Sequence, residues 1–128
     1  MSRVFWDTNL FIYLFEDYGE FSKQVSGLRQ RMISRGDQLF TSTLTLGEIL
    51  VKPTEKGDDE LRRAYLQAVT VAAVMLPFDQ ETAEHYAAIR QDRSIRAPDA
   101  IQLACAAHAR IVSGPLGESG TPCMAWRH

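Results

Sequence analysis

The feature that most constrains this chain is a short run, Arg3-Val4-Phe5-Trp6, cut off at once by Asp7-Thr8-Asn9. Val4, Phe5 and Trp6 are apolar in succession, without the alternation of a strand that has one wet face. A strand of that kind is covered on both sides, which is the condition of a parallel sheet with helices packed against it. A second apolar run, Leu10 to Phe15, starts immediately and reads as a short helix. Asp7 therefore stands at the carboxyl end of a first strand, where open α/β sheets bind their ligands.

The rest of the chain repeats this strand-then-helix rhythm. Residues Glu16 to Glu20 break the first helix, and Phe21, Val25, Leu28 and Met32 then recur at helical spacing, with Gly36 as a natural stop. Gln38 to Thr41 reads as a second strand leading into a capped helix that starts near Ser42. Pro53 and Gly57 are expected to interrupt it. Asp58 caps a helix carrying the stripe Leu61, Ala64, Tyr65, Ala68, Val69 and Ala72. Val74 to Leu76 reads as a third strand closed by Pro77, and Asp79 caps a helix with Ala83, Tyr86, Ala87 and Arg90 on one face. A basic connection, Arg93 to Ala97, leads to Pro98 and a helix from Asp99 to Arg110 that is apolar nearly all round and hence buried. Strands alternating with helices place the chain in the α/β class with a mostly parallel sheet.

Bulk properties narrow the function. The 128 residues suit one domain with one core. A net charge of −2 gives no global field toward nucleic acid or membrane, so any such contact has to be a local patch. Cys105 and Cys123 form neither a disulfide framework nor a metal-ligand spacing. No signal-peptide pattern precedes Val4, and no stretch approaches the roughly 18 apolar residues of a membrane span. A cytoplasmic location is expected.

Three carboxylates fall at element ends rather than on exposed helix faces: Asp7 after the first strand, Glu48 in the first turn of one helix and Asp99 in the first turn of another. Clustered carboxylates repel one another, and a hard divalent cation relieves that repulsion through oxygen ligands. Each also has a purely local reading. Asp7 can cap the helix behind it. Glu48 completes a T-x-x-E capping box with Thr45. Asp99 follows Pro98 at a helix start, where both are favoured by geometry and dipole. Spacing alone leaves both readings open.

The words around these acids add a resemblance. Phe5-Trp6-Asp7-Thr8-Asn9, Thr45-Leu46-Gly47-Glu48-Ile49-Leu50 and Arg96-Ala97-Pro98-Asp99-Ala100-Ile101-Gln102-Leu103-Ala104 resemble, in order, three blocks of the PIN-domain family, above all its VapC-type toxins. The resemblance spans Val4 to Arg110. It implies a central parallel sheet flanked by helices with an acidic pocket at the strand ends. It implies a metal-dependent ribonuclease: Asp7, Glu48 and Asp99 as catalytic acids and metal ligands, directly or through water, Thr8 as a polar partner, and Asn9 orienting Asp7. The cofactor implied is Mg²⁺ or Mn²⁺, which activates water to attack an RNA phosphodiester. The partners implied are an RNA substrate, a small antitoxin that covers the pocket, and a second copy in a homodimer.

The chain departs from the pattern at its end. Residues 1–112 are expected to form the PIN-like nuclease domain and 113–128 an atypical Gly/Pro-rich tail, with the last strand missing or altered. Ile111-Val112 begins something strand-like and Ser113-Gly114-Pro115 stops it. The family's fourth acid has no matching motif here. Glu118, nineteen positions beyond Asp99, stands about where it is expected, in surroundings that do not match. A lost strand leaves an open sheet edge, which a partner or a second copy is expected to cover. For RNA phosphates, Arg93 and Arg96 adjoin Asp99 and are the best-placed cations, ahead of Arg29, Arg31 and Arg35. Gly114 to Thr121 lacks the Lys and the strand-to-helix setting of a phosphate loop. His85 and His108 have no ligand spacing. Two function classes compete: an active metal-dependent RNase toxin, favoured by the three matched acids, and a catalytically impaired PIN-fold module that binds an antitoxin-like protein or RNA, favoured by the altered end. A phosphorelay receiver is disfavoured, because Asp7 has no acidic neighbour.

Overall fold

The computed structural model describes residues 2–110 and the backbone of 112–113. Glu118, Cys123 and the tail beyond 113 lie outside the described residues. The elements are β1 (Arg3–Phe5), α1 (Thr8–Phe15), α2 (Glu20–Arg35), β2 (Gln38–Ser42), α3 (Thr43–Glu55), α4 (Asp59–Ala72), β3 (Val74–Leu76), α5 (Gln80–Ile89), α6 (Ala97–His108) and β4 (Val112–Ser113). All strand pairs are parallel, in the order β3-β2-β1-β4. Chain order runs outward from β1 through β2 to β3, and α5 and α6 then return the chain to the far side of β1. The direction of winding thus reverses at β1, which makes its carboxyl end the switch point where such sheets form a crevice.

The non-alternating apolar run behaves as its composition requires. Val4, Phe5 and Trp6 are all buried, with Leu10, Phe11, Leu39, Phe40, Ile49, Val69 and Cys105 in the same core. Trp6 is a core residue, packed edge-on against Phe11 at 5.4 Å between ring centroids. Its indole N–H is buried with no hydrogen-bond partner, and nothing in the structure accounts for that. Thr41 ties the sheet's end together by donating its hydroxyl to the Trp6 carbonyl, 2.7 Å.

Helix ends follow the residues that favour them. Asp58 and Asp79 cap α4 and α5 through Leu61 N and Thr82 N. Gly36 closes α2 at φ 73°, a left-handed conformation that glycine adopts without a Cβ clash. Four expectations are corrected. Pro53 does not interrupt the chain: it lies buried inside α3, which runs on to Glu55. Thr45 is not a helix cap. The strand β2 extends through Ser42, and Ser42 caps α3 by accepting from Thr45 N at 3.2 Å. Glu48 consequently sits in the second turn of α3, out of reach of a capping box. Phe21 is exposed rather than core, and stacks on Tyr13 with centroids 5.4 Å apart.

The sheet is also not left open at β1. Val4 and Phe5 pair with Val112 and Ser113, so a short parallel strand stands where an unpaired edge was expected. α6 is buried as its composition predicts, through Ala100, Ala104, Cys105 and Ala106. Among the described residues no helix is long and apolar enough to cross a membrane.

Candidate acidic site

Three helix starts converge at the carboxyl end of β1. α1 begins directly after Asp7, α6 carries Asp99 in its first turn, and α3 carries Glu48 in its second. Their side chains line one pocket of about 230 Å³ together with Thr8, Asn9, Arg96, Pro98 and Gln102. Two larger grooves, about 410 and 450 Å³, also touch Glu48, but their walls are mainly apolar and hold neither Asp7 nor Asp99.

Asp7 is the buried acid of the set, only 7% exposed. Burial pushes its carboxyl up to about 7, from an ordinary 3.8. The backbone N–H groups of Leu10 and Asn9 pull it down in part, and the nearby charges of Asp99 and Glu48 push it up again. Its Oδ1 accepts from Leu10 N at 3.4 Å, so Asp7 does cap α1. The local, capping reading therefore holds for this residue.

Thr8 sits at the first position of α1 and donates its hydroxyl to Glu48 Oε1, 2.5 Å. Glu48 is thereby held toward the pocket from an otherwise exposed position on α3. Asp99 is a quarter exposed, and its Oδ2 lies 3.5 Å from Arg96 Nε. Arg96 thus lines the pocket, as the sequence suggests, while Arg93 is exposed and outside its lining. Arg90 is committed to the Ile95 carbonyl and Arg35 to Asp37. His85 and His108 face one another on α5 and α6, with His108 near Asp79 and Glu81, away from this pocket.

The donor set at the pocket is all oxygen, which suits a hard divalent cation. A carboxylate buried as deeply as Asp7 without a cation partner is held away from its ionised form, and a bound cation would reverse that. Among the described residues, no three His, Cys, Asp or Glu side chains stand close enough to form a ready-made ion cage. The arrangement therefore fits an ion held by one or two of these carboxylates, with the third acting at a distance, as is usual for Mg²⁺.

Sequence reasoning missed the polar scaffold beneath the acids. Gln102 is 3% exposed on α6 and joins the Ser42 hydroxyl, 2.5 Å, to the Thr45 hydroxyl, 2.8 Å. The available signal was a lone amide within an apolar helix, three residues after Asp99 and hence on the same face.

The PIN domain family model matches residues 4–113. Among curated proteins no sequence relative is found. Of solved structures, a toxin–antitoxin complex from Klebsiella pneumoniae contains a chain 27% identical to this one, covering 94% of this chain and 93% of the other, with a TM-score of 0.65. VapBC2 from Rickettsia felis, bound to a DNA fragment from its promoter, contains a chain with the same fold: TM-score 0.66, 13% identity, 88% and 85% coverage. From the matched family model and the shared architecture, the chain belongs to the PIN domain family and is VapC-like in its fold.

Proposed function

We propose that the chain is a ribonuclease toxin of a type II toxin–antitoxin pair, dependent on Mg²⁺ or Mn²⁺. PIN domains are generally nucleases, and the observation that carries the reading is the buried Asp7 carboxylate facing Glu48 and Asp99 across one pocket at the sheet's switch point. Asp7, Asp99 and Glu48 would hold the ion, directly or through water. When bound, the ion acidifies a water and offsets charge on the phosphodiester in the transition state.

The chain's own residues do the rest. Thr8 keeps Glu48 turned inward through its hydroxyl proton. Arg96, at the rim, offers a cation to an RNA phosphate while restraining Asp99. The capping N–H groups of α1 keep the Asp7 carboxylate in one orientation. A small antitoxin is the partner proposed, supported by the toxin–antitoxin assembly of the Klebsiella pneumoniae relative. A homodimer and a cytoplasmic setting belong to the same reading.

The second reading, a PIN-fold module that binds RNA or an antitoxin without cutting, draws on the absence of a ready-made ion cage among the described residues. Cleavage of a panel of structured RNAs with Mg²⁺, Mn²⁺ or EDTA separates the two, comparing wild type with Asp7→Asn. Cleavage that needs metal and disappears in D7N supports the nuclease. Equal cleavage by both proteins removes Asp7 from the mechanism. No cleavage and no metal binding by wild type favours the binding module.

A further inference from the structure

We propose that Gln102 is a positioning residue of the acidic pocket, setting the direction of a hydroxyl chain that ends on Glu48; this rests on the metal-dependent reading above. The chain runs through four elements. The Ser42 hydroxyl donates to the Gln102 amide oxygen, and the amide nitrogen donates to Thr45 Oγ1. Thr45 Oγ1 lies 3.5 Å from Thr8 Oγ1, which lies 2.5 Å from Glu48 Oε1.

Proton counting fixes the direction. Each hydroxyl has one proton, and a carboxylate only accepts. Thr8's proton is committed to Glu48, so the contact between Thr8 and Thr45 needs the proton of Thr45. Thr45 has it to give because Gln102 faces it with N–H and not with C=O. The reversed amide would draw the Thr45 proton to itself, leave the Thr8 contact without a proton, and take from the buried Ser42 hydroxyl the acceptor it uses. Ser42 Oγ meanwhile accepts Thr45 N as the cap of α3, so its proton is free for Gln102. Every donor in the relay then points toward Glu48.

The placement adds a second effect. Gln102 is on α6, one turn beyond Asp99, while its partners are Ser42, the cap of α3, and Thr45, one turn before Glu48 on α3. One buried amide therefore sets the two acid-bearing helices in register and directs the hydroxyl that holds Glu48. Groups hydrogen-bonded directly to metal ligands are typically worth 10–100-fold in metal affinity; Thr8 stands at that remove from Glu48, and Gln102 acts through it.

The test is a double-mutant cycle of Gln102→Met and Thr8→Val, read by Mn²⁺ titration calorimetry and by urea unfolding in EDTA. Q102M keeps the side chain's length without its polarity. The expected result is Mn²⁺ affinity weakened about tenfold or more in each single variant, and no further in the double variant. The urea midpoints in EDTA should be non-additive in the same way, as for residues of one hydrogen-bonded network, while the Mn²⁺ affinity is the readout that a merely structural role for Gln102 would not move. Additive losses, or wild-type Mn²⁺ affinity in Q102M, would overturn the proposal. A wild-type protein that takes no Mn²⁺ refutes the metal reading, and the cycle in EDTA then decides the relay alone. Should Q102M not fold, Thr45→Val and Thr45→Ser run the same cycle: loss with Val and rescue by Ser support the relay, and equal loss with both overturns it.

Discussion

Replacing Asp7 by Asn should stabilise the metal-free protein, and only above a definite pH. In the folded state burial raises the Asp7 carboxyl to about 7, against 3.8 for the ordinary group. Between those values the unfolded chain has already lost its proton while the folded one keeps it. Stability contributed by this group is therefore full below about pH 4 and is lost as pH rises toward and through about 7. The difference corresponds to about 4 kcal/mol at pH 8, from 1.36 kcal/mol per tenfold change in proton affinity. Asn cannot ionise, yet its amide oxygen can still accept from Leu10 N, so the cap on α1 survives.

The assay is thermal unfolding of wild type and D7N in EDTA at pH 5 and pH 8. For a chain of this length the full 4 kcal/mol is worth about 15 °C in Tm, and half of it about 7 °C. D7N should melt higher than wild type at pH 8, and the gap should shrink greatly at pH 5. Adding Mn²⁺ at pH 8 should raise the wild-type Tm and leave D7N unmoved, since a ligand stabilises only the state that binds it. A gap that does not change with pH, or a D7N protein less stable at pH 8, would refute the claim that an unpaired buried charge dominates at this position.

The other perturbations are simpler. Ser42→Ala removes the α3 cap, about 1 kcal/mol, and strips the Gln102 oxygen of its donor, about 1–3 kcal/mol more; a clear fall in the urea midpoint should follow, while loss of the cap alone would argue against the buried network. Arg110 holds a left-handed φ of 55° just beyond α6, so Arg110→Gly should raise stability by about 0.5–1 kcal/mol in denaturant unfolding, and a loss would mean that its side chain contributes more than the strain costs. Arg96→Gln should weaken RNA binding and lower the salt dependence of log K by about one, with little effect on Tm because its pair with Asp99 is largely solvent-exposed; an unchanged salt slope would remove Arg96 from the phosphate contacts.

What the sequence made legible follows from where each signal resides. The double-covered strand, the helix caps at Asp58 and Asp79, and the stop at Gly36 are local matters of composition and backbone geometry, and the structure holds them as read. Glu48 lies a turn further into its helix than the residues alone suggest, because T-x-x-E looks like a cap. Which hydroxyl caps α3 depends on how far β2 pairs with β3, and the pair Ser42 with Leu76 carries the strand through Ser42. Pro53 reads as a breaker because it lacks an N–H, but it is buried within α3, where tertiary packing overrides its cost. The role of Gln102 is not legible along the chain because its partners lie about 60 residues away in sequence, on β2 and α3, and meet it only once α6 docks.

The geometry separates capping from the rest of each acid's setting, and differently for Glu48 and Asp7. For Glu48 the capping explanation fails outright, since Ser42 holds that place; what remains is its bond from Thr8 and its position in the pocket. For Asp7 the cap is real and useful. It ties the carboxylate to the backbone N–H groups of Leu10 and Asn9 and so fixes the side chain's orientation. The N-terminus of α1 favours a negative charge there, but burial works against it and prevails, because the carboxyl is raised rather than lowered. A residue needed only as a cap has no reason to be buried, for exposed Asp58 caps α4 without that cost. The burial of Asp7 is the part that capping leaves unexplained, and a cation in the pocket is the partner that would offset it.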